Sequence, residues 1–383
     1  MVGRFTYSPP FHWPKRRFLW VEQQVLSEGF HLLPEKGVGE VHGMLPRERV
    51  FAAIARTGPD RPPLYVPWPT DGVLCEQGAR LPELLRRYAN DVNDFHSLGV
   101  PPCPPGALGE EFHTTAEDVW GVEWEYRIFG MHGHPKRRPL DELAALDAYR
   151  PPAPPVPVGA EFEAQRAATE EHKRRYYALG GWINIFEILH AVRRFEDVLM
   201  DLADDAPALH RLADLVVEYQ EAVVHYLLAQ GVNGVMFADD WGTACGAMVS
   251  LDCWRAFFRP RYARLMAPVL DAGKHVWYHT CGCTEWLWDD LADLGMHVFW
   301  PQLTCNDNAR LAAWCRRRGI TLLAHPDRSH LMREGTPEQV RAEVHRIAGT
   351  FGSSEGGLIF HGEVDRGFAF ANVEALYEEV FSV

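Results

Sequence analysis

The sequence lacks an uninterrupted apolar run of about 18 residues, the length a membrane-spanning helix requires, so no span is expected. It also lacks a basic excess. Thirty-eight Lys and Arg face 52 Asp and Glu, a formal net charge of -14, which disfavours nucleic acid or an anionic membrane surface as a partner. Met1 to Trp20 has no apolar core of the signal-peptide kind. Cysteine is sparse: eight are scattered through 383 residues, so reduced thiols and a cytoplasmic home are expected. No Gly-x-Gly-x-x-Gly turn is present, which removes the main support for a dinucleotide-binding open sheet. What remains is a chain with 47% hydrophobic and 23% charged residues, long enough for one large core.

Residues 1–45 are rich in aromatics, Gly and Pro without a clean period, and read as an N-terminal arm on a single domain of residues 46–383. A short helix is expected over 46–56, with Val50, Phe51 and Ile54 on one face, and a first strand at Leu64 to Val66. Residues 70–135 carry a helix near 81–90 and many turn residues, and read as an excursion over an active-site mouth. The run from Pro151 to Pro157 cannot be a central helix or strand.

From residue 160 the pattern becomes regular. Helices are expected at about 160–177, 186–203, 206–230, 251–272, 285–294, 307–318 and 337–347. Between them lie short apolar strands at Leu179 to Ile185, Val232 to Ala238, His275 to His279, His297 to Trp300, Ile320 to Ala324 and Gly357 to Phe360. Gly231, Gly295 and Gly319 stand where helix C-caps belong. Thr336-Pro337-Glu338-Gln339 is a capping box with Pro at the first helical position. Strands alternating with helices, each strand a short apolar run, indicate a parallel sheet covered on both faces.

Polar residues follow the strands. Asp239 and Asp240, His279 and Cys281, Gln302, His325 and Asp327, and His361 and Glu363 all succeed the C-terminal end of an expected strand. In a (β/α)8 TIM barrel those ends meet around one mouth; in an open sheet they string out along an edge. The expected fold is therefore α/β, a (β/α)8 barrel with an N-terminal arm and an extended loop region.

Within that set, His279 and Cys281 are two apart on an extended segment, so their side chains share a face. Imidazole and thiolate suit a borderline-soft divalent ion such as zinc; the plainer alternative is a pair of packed residues at a barrel rim. Adjacent Asp239 and Asp240 point to opposite faces. Asp240 is assigned to the pocket as acid/base or hydrogen-bond partner, with a structural carboxylate bonding backbone donors at the loop as the alternative, and Asp239 to capping or pairing with a neighbouring loop. His325, Asp327 and Glu187 are candidate substrate contacts. Trp241, Trp277, Tyr278 and Trp300 are candidates for an apolar pocket lining, with ordinary core packing as the alternative.

Four stretches in this order, Asp239-Asp240-Trp241-Gly242-Thr243, the helix start at Ser250 to Pro260, His279-Thr280-Cys281-Gly282, and Gly335 to Val344, resemble the uroporphyrinogen decarboxylase superfamily. The resemblance covers about 46–66 and 176–381 and is nearest to the corrinoid-linked, methylcobamide-type methyltransferase branch. It implies a barrel with its site at the strand C-terminal ends and a zinc ion held by a His-x-Cys pair and a later cysteine. His279 and Cys281 match the pair. Where the later cysteine belongs, this chain reads Phe360-His361-Gly362-Glu363-Val364, so His361 is taken as the third ligand, with Glu363 as the alternative ligand or a catalytic carboxylate. The N-terminal arginine-rich motif of true uroporphyrinogen decarboxylases has no match; Lys15-Arg16-Arg17 sits in a different context. The resemblance thus implies a zinc-dependent methyltransferase. It would move a methyl group between a small molecule, a thiol or methoxy compound, and a corrinoid (methylcobalamin) on a separate carrier protein, with a homodimer as the expected assembly. The alternatives are a zinc-dependent lyase, decarboxylase or hydrolase in the same mouth, and a non-catalytic binding protein for a small ligand.

Overall fold

The computed structural model describes residues 43–88 and 90–383; the expected N-terminal arm lies almost wholly outside them. Seven strands form one parallel sheet. In chain order, β1 is Leu64–Tyr65. The strands β2 (Thr114–Glu117), β3 (Glu123–Tyr126) and β4 (His134–Arg137) form a separate antiparallel sheet. β5 is Leu179–Ile183, β6 Gly234–Ala238, β7 His275–Thr280, β8 Val298–Pro301, β9 Thr321–Ala324 and β10 Leu358–His361. The parallel sheet runs β1-β10-β9-β8-β7-β6-β5, so chain neighbours are sheet neighbours from β5 to β10, and β1 returns to pair with the last strand.

The two sheet edges meet through residue Asp91. Its amide donates to Leu64 O at 2.8 Å, and its carbonyl accepts from Tyr177 N at 3.1 Å. Asn90 adds a side-chain bond from Val66 N. This short irregular segment occupies the eighth strand position and curls the sheet into a barrel. The Asp91 carboxylate is buried in the seam, where it accepts from Leu64 N at 2.7 Å and pairs with Arg49 and Arg61. A buried carboxylate without such partners would cost several kcal/mol or neutralise.

Two apolar cores follow from the strand period of two. Tyr65, Tyr177, Met236, Trp277, Val298, Leu323 and Ile359 fill the barrel interior, and Val50, Ala53 and Ile54 of the helix Pro46–Ala55 pack against them. The alternate residues, among them Val235, Phe237, Val276, Tyr278, Phe299, Leu322 and Phe360, meet the surrounding helices.

Several expected helices differ in detail. The one expected over 160–177 ends at His172, because Tyr177 is needed in the seam. The one over 186–203 divides into Phe186–Val192 and Phe195–Ala203. At the break, buried Arg193 bonds Asp201 and the carbonyl of Asp141. The one over 251–272 contains a π-helical turn at Trp254–Phe258, next to Pro260, which has no amide to donate.

The excursion that begins at residue 70 holds the antiparallel sheet, which runs on to Arg137, and a disulfide between Cys75 and Cys103, whose Cα atoms are 5.8 Å apart. The expectation that every cysteine is reduced is corrected there: the bridge ties the proline-rich loop around Cys103 to the helix Asp71–Gln77. The other six cysteines are free. No helix among the described residues is long and apolar enough to cross a membrane.

Candidate functional site

Strand alternation decides which β7 side chains reach the mouth. Trp277 packs in the barrel interior while Val276 and Tyr278 pack outward, so His279, at the C-terminal end of β7, belongs with Trp277. Its Nδ1 lies 3.0 Å from Trp300 O. A carbonyl only accepts, so Nδ1 carries the proton and the Nε2 lone pair is free. Nε2 faces Cys281 Sγ at 3.5 Å and Asp240 Oδ1 at 3.6 Å. Burial lowers the histidine's pKa, against the opposing charge of Asp240, favouring neutral imidazole. Burial, and then Asp240, push the Cys281 thiol well above its ordinary value.

The loop bearing Cys281 is held by backbone contact with the loop after β6. Gly242 N donates to Cys281 O at 3.1 Å, and Cys283 N to Thr243 O at 2.9 Å. Gly282 has φ +80°, and a Cβ there would lie 2.1 Å from Gly242 O. Only glycine satisfies both the conformation and the approach. Gln302 Oε1 accepts from Gly282 N, and Asn306 Nδ2 donates to Gly282 O, both at 3.0 Å. Asp240 Oδ1 accepts from Cys281 N at 2.8 Å, which fixes carboxylate and thiol relative to one another.

The neighbouring aspartate has another task. Asp239 is 1% exposed and accepts from the amides of Ile185, Phe186 and Glu187 at 2.7, 3.0 and 2.8 Å, and from the hydroxyl of Tyr262. It thereby satisfies the open amides at the start of the helix Phe186–Val192. Burial, and then Glu187, raise its pKa to about 7 against those bonds. Glu187 contrasts with it. Burial alone would raise its pKa, but the hydrogen bond and charge of His190 prevail and lower it, with Oε2 and His190 Nε2 3.5 Å apart.

Donor atoms gather in two groups, each with its atoms within 4.8 Å of one another: Asp240 with His279 and Cys281, and His325 with His361 and Glu363. The Trp300 ring lies between them, its centroid 4.1 Å from each of the His279 and His361 rings. The expectation that His361 completes a set with His279 and Cys281 is therefore not the grouping found here; Asp240 occupies that place. His361 is fully buried with neither ring nitrogen hydrogen-bonded, and burial holds its pKa well below the ordinary value. Glu363 bonds Arg328 at 2.5 Å.

Two cavities open beside His279. The larger, about 270 Å³, lies between the ends of β5 and β6 and the small antiparallel sheet; Trp120, Trp124, Tyr126, Trp182, Glu187 and Asp240 are among its walls. The smaller, about 60 Å³, is lined by Cys281, Gln302, His325, Asp327 and Arg328. His279 borders both.

Two expected substrate contacts do not reach either cavity. Trp241 and Tyr278 are fully buried, and the Trp241 indole donates to the Tyr278 hydroxyl at 2.8 Å. Both sit in the layer between sheet and helices: if His279 faces the barrel, its neighbour Tyr278 must face outward. Conversely, Asp118, Trp120, Trp124, Tyr126 and His132 were not expected at the site. Trp124 and Tyr126 lie on β3, whose sequence Glu-Trp-Glu-Tyr puts both rings on one face and both carboxylates on the other. That alternation was the available signal.

The fold and these side chains define an α/β-barrel protein with a polar cluster at the C-terminal ends of its strands, the usual place of a barrel enzyme's site. The uroporphyrinogen decarboxylase (URO-D) family model matches residues 125–380, well over half the chain. The chain belongs to that family. It is 29% identical over 200 residues to a uroporphyrinogen decarboxylase from Cellvibrio japonicus (strain Ueda107), a match covering 49% of this chain and 51% of the relative. The matched region thus spans about half the relative's length. Among solved structures, a methyltransferase from Methanosarcina mazei is similar in fold. Its TM-score is 0.61 at 13% identity, covering 88% of this chain and 99% of that one.

Proposed function

We propose that this chain is a zinc-dependent methyltransferase. The reading is carried by one observation: a nitrogen, a sulfur and an oxygen donor converge at His279, Cys281 and Asp240, where His279 borders both cavities, Asp240 the larger and Cys281 the smaller. The three fit a zinc ion by chemistry, since imidazole, thiolate and carboxylate are its ordinary ligands and three leave a fourth position open. His279 fits in its tautomer as well, because the proton on Nδ1 leaves Nε2 free to ligate. In this reading Asp240 takes the third place assigned to His361 by sequence. Zinc bound there would supply Lewis acidity and favour a bound thiol as its thiolate. His325, His361 and Glu363 form a separate group beyond Trp300, with Glu363 as a catalytic or positioning carboxylate held by Arg328.

The chain's own residues supply the rest. Trp300 and Asp240 orient the imidazole and the thiol. The antiparallel sheet covers the larger cavity and reduces access of water. Glu187 presents a carboxylate to that cavity, and His325 and Asp327 present polar atoms to the smaller one.

The methyl partner in this proposal is a corrinoid on a separate carrier protein, and the assembly a cytoplasmic homodimer. Decarboxylation of a polycarboxylate tetrapyrrole is the weaker reading, because the larger cavity has no Lys or Arg in its wall among the described residues. The deciding assay incubates zinc-loaded protein with methylcobalamin and a panel of thiols, following loss of the methyl-cobalt absorbance. Transfer by the wild type that His279→Ala abolishes supports the proposal. Equal activity after complete zinc removal contradicts it.

A further inference from the structure

The larger cavity has a composition that the methyl-transfer reading does not itself require. Four aromatic side chains, Trp120, Trp124, Tyr126 and Trp182, stand in its wall. Every charged residue type there is acidic or histidine; Lys and Arg are absent among the described residues. We propose that this cavity takes a small methylated ammonium cation, with its alkylated nitrogen among the rings and Glu187 as the counter-charge.

The four carboxylates of the wall are not equivalent. Asp118 is committed to its own loop, accepting from Trp120 N, Val122 N and Trp124 Nε1 at 2.8, 2.9 and 2.8 Å. Asp239 is committed to the helix start beneath it. Asp240 accepts from Cys281 N and belongs to the proposed metal group, so Glu187 remains. Both stand in the cavity wall.

The rings are arranged around them. Asp118 fixes the Trp124 indole by its N–H, leaving the ring to present a face or edge rather than a donor. Trp182 is 5.6 Å, centroid to centroid, from His279, so the aromatic wall continues to the proposed metal group. An aromatic face attracts a cation through its quadrupole, and several faces with a carboxylate are the usual receptor for alkylated ammonium. Glu187, paired with His190 at 3.5 Å, still brings a carboxylate to the cavity wall, so a carboxylate ligand would meet like charge there. About 270 Å³ suits a head group of a few heavy atoms.

The inference rests on the methyl-transfer reading for the presence of a transferable methyl group, but not for the positive charge. The test is therefore binding, measured on the full chain by calorimetry. The probes are tetramethylammonium, choline, its uncharged isostere 3,3-dimethylbutan-1-ol, and acetate, with zinc content measured separately. Choline is expected to bind at least about tenfold more tightly than the isostere, and acetate not measurably. Trp124→Leu and Glu187→Gln, checked as folded by circular dichroism, are each expected to weaken choline about tenfold, whereas Trp124→Phe retains most of the affinity. Equal affinity for choline and its isostere, whatever the zinc content, or preference of the zinc-free protein for acetate over both, overturns the inference. Preferential cation binding by zinc-free protein upholds it while removing the metal basis of the methyl-transfer reading. Should a variant fail to fold, the wild-type comparison of choline with its isostere decides.

Discussion

The Asp240 carboxylate accepts a hydrogen bond from the Cys281 amide at 2.8 Å, across two loops that follow neighbouring strands. One oxygen, Oδ1, makes that bond and also lies 3.6 Å from His279 Nε2. Asp240 therefore does two jobs: it fastens the Cys281 loop and supplies the third donor atom. Asp240→Asn keeps an amide-accepting oxygen but loses the charge. It should lower zinc affinity about 10- to 100-fold with little effect on stability. His361→Gln should change zinc affinity far less, because Trp300 separates His361 from the pair. Competition with a chromophoric chelator measures both. A larger loss from His361→Gln than from Asp240→Asn would return His361 to the ligand set.

Asp239 is a structural residue in this account. Replacing it with Ala leaves three backbone amides and the Tyr262 hydroxyl without their acceptor in a buried setting. The expected cost is about 3 kcal/mol, read as a lowered midpoint in urea. An Asp239→Ala variant as stable as the wild type would contradict it.

The barrel floor makes stability pH-dependent. His275 Nδ1 is paired with the Tyr177 hydroxyl at 2.9 Å, and burial, then His297 and Lys274, lower its pKa to about 4 from 6.5. Between those values the unfolded chain binds a proton that the folded chain does not, so stability rises with pH there and is lost as pH falls. The neighbouring His297 is lowered by burial in the same direction. Thermal midpoints should fall on acidification from about pH 6.5 to 4, and His275→Gln should shallow that slope. An unchanged slope in the variant would assign the acid sensitivity elsewhere.

The Cys75–Cys103 bridge has two readouts. Thiol titration of denatured, unreduced protein should find six free thiols, rising to eight after reduction. Closing a loop across a separation of 28 residues should stabilise the fold by about 3.5 kcal/mol in the chain-entropy account. Cys75→Ser/Cys103→Ser measures it by denaturation. Eight thiols before reduction would contradict the bridge.

Much of the barrel was legible because two local signals agree. The strands from Val232 onward are apolar runs, and Gly231 and Gly319 cap the helices before β6 and β9, so that the observed β6 to β10 fall within a residue or two of their expected positions. The antiparallel sheet was not legible by the same means. Thr114–Glu117 and His134–Arg137 are polar and largely exposed, with no apolar face to give a period. Both pair instead with β3 between them, whose Trp124 and Tyr126 supply the sheet's aromatic face. The eighth barrel position was equally hidden, since Asp91 fills it through tertiary bonds to Leu64 and Tyr177.

At the site, the His-x-Cys pair could be read from spacing because a strand's period fixes it. The opposing faces of Asp239 and Asp240 followed from the same rule. That rule, carried one residue further, also excludes Tyr278 from the mouth. The grouping of Asp240 with the pair depends instead on how two loops cross at Gly242 and Gly282, a relation between distant parts of the chain that no local pattern carries.

The measurement that bears most directly on the central claim is the metal content of purified protein prepared without chelator, wild type beside Cys281→Ser. The account predicts one zinc per chain in the wild type, lost in a variant that remains folded. A metal-free wild type, or zinc retained undiminished in Cys281→Ser, would contradict it.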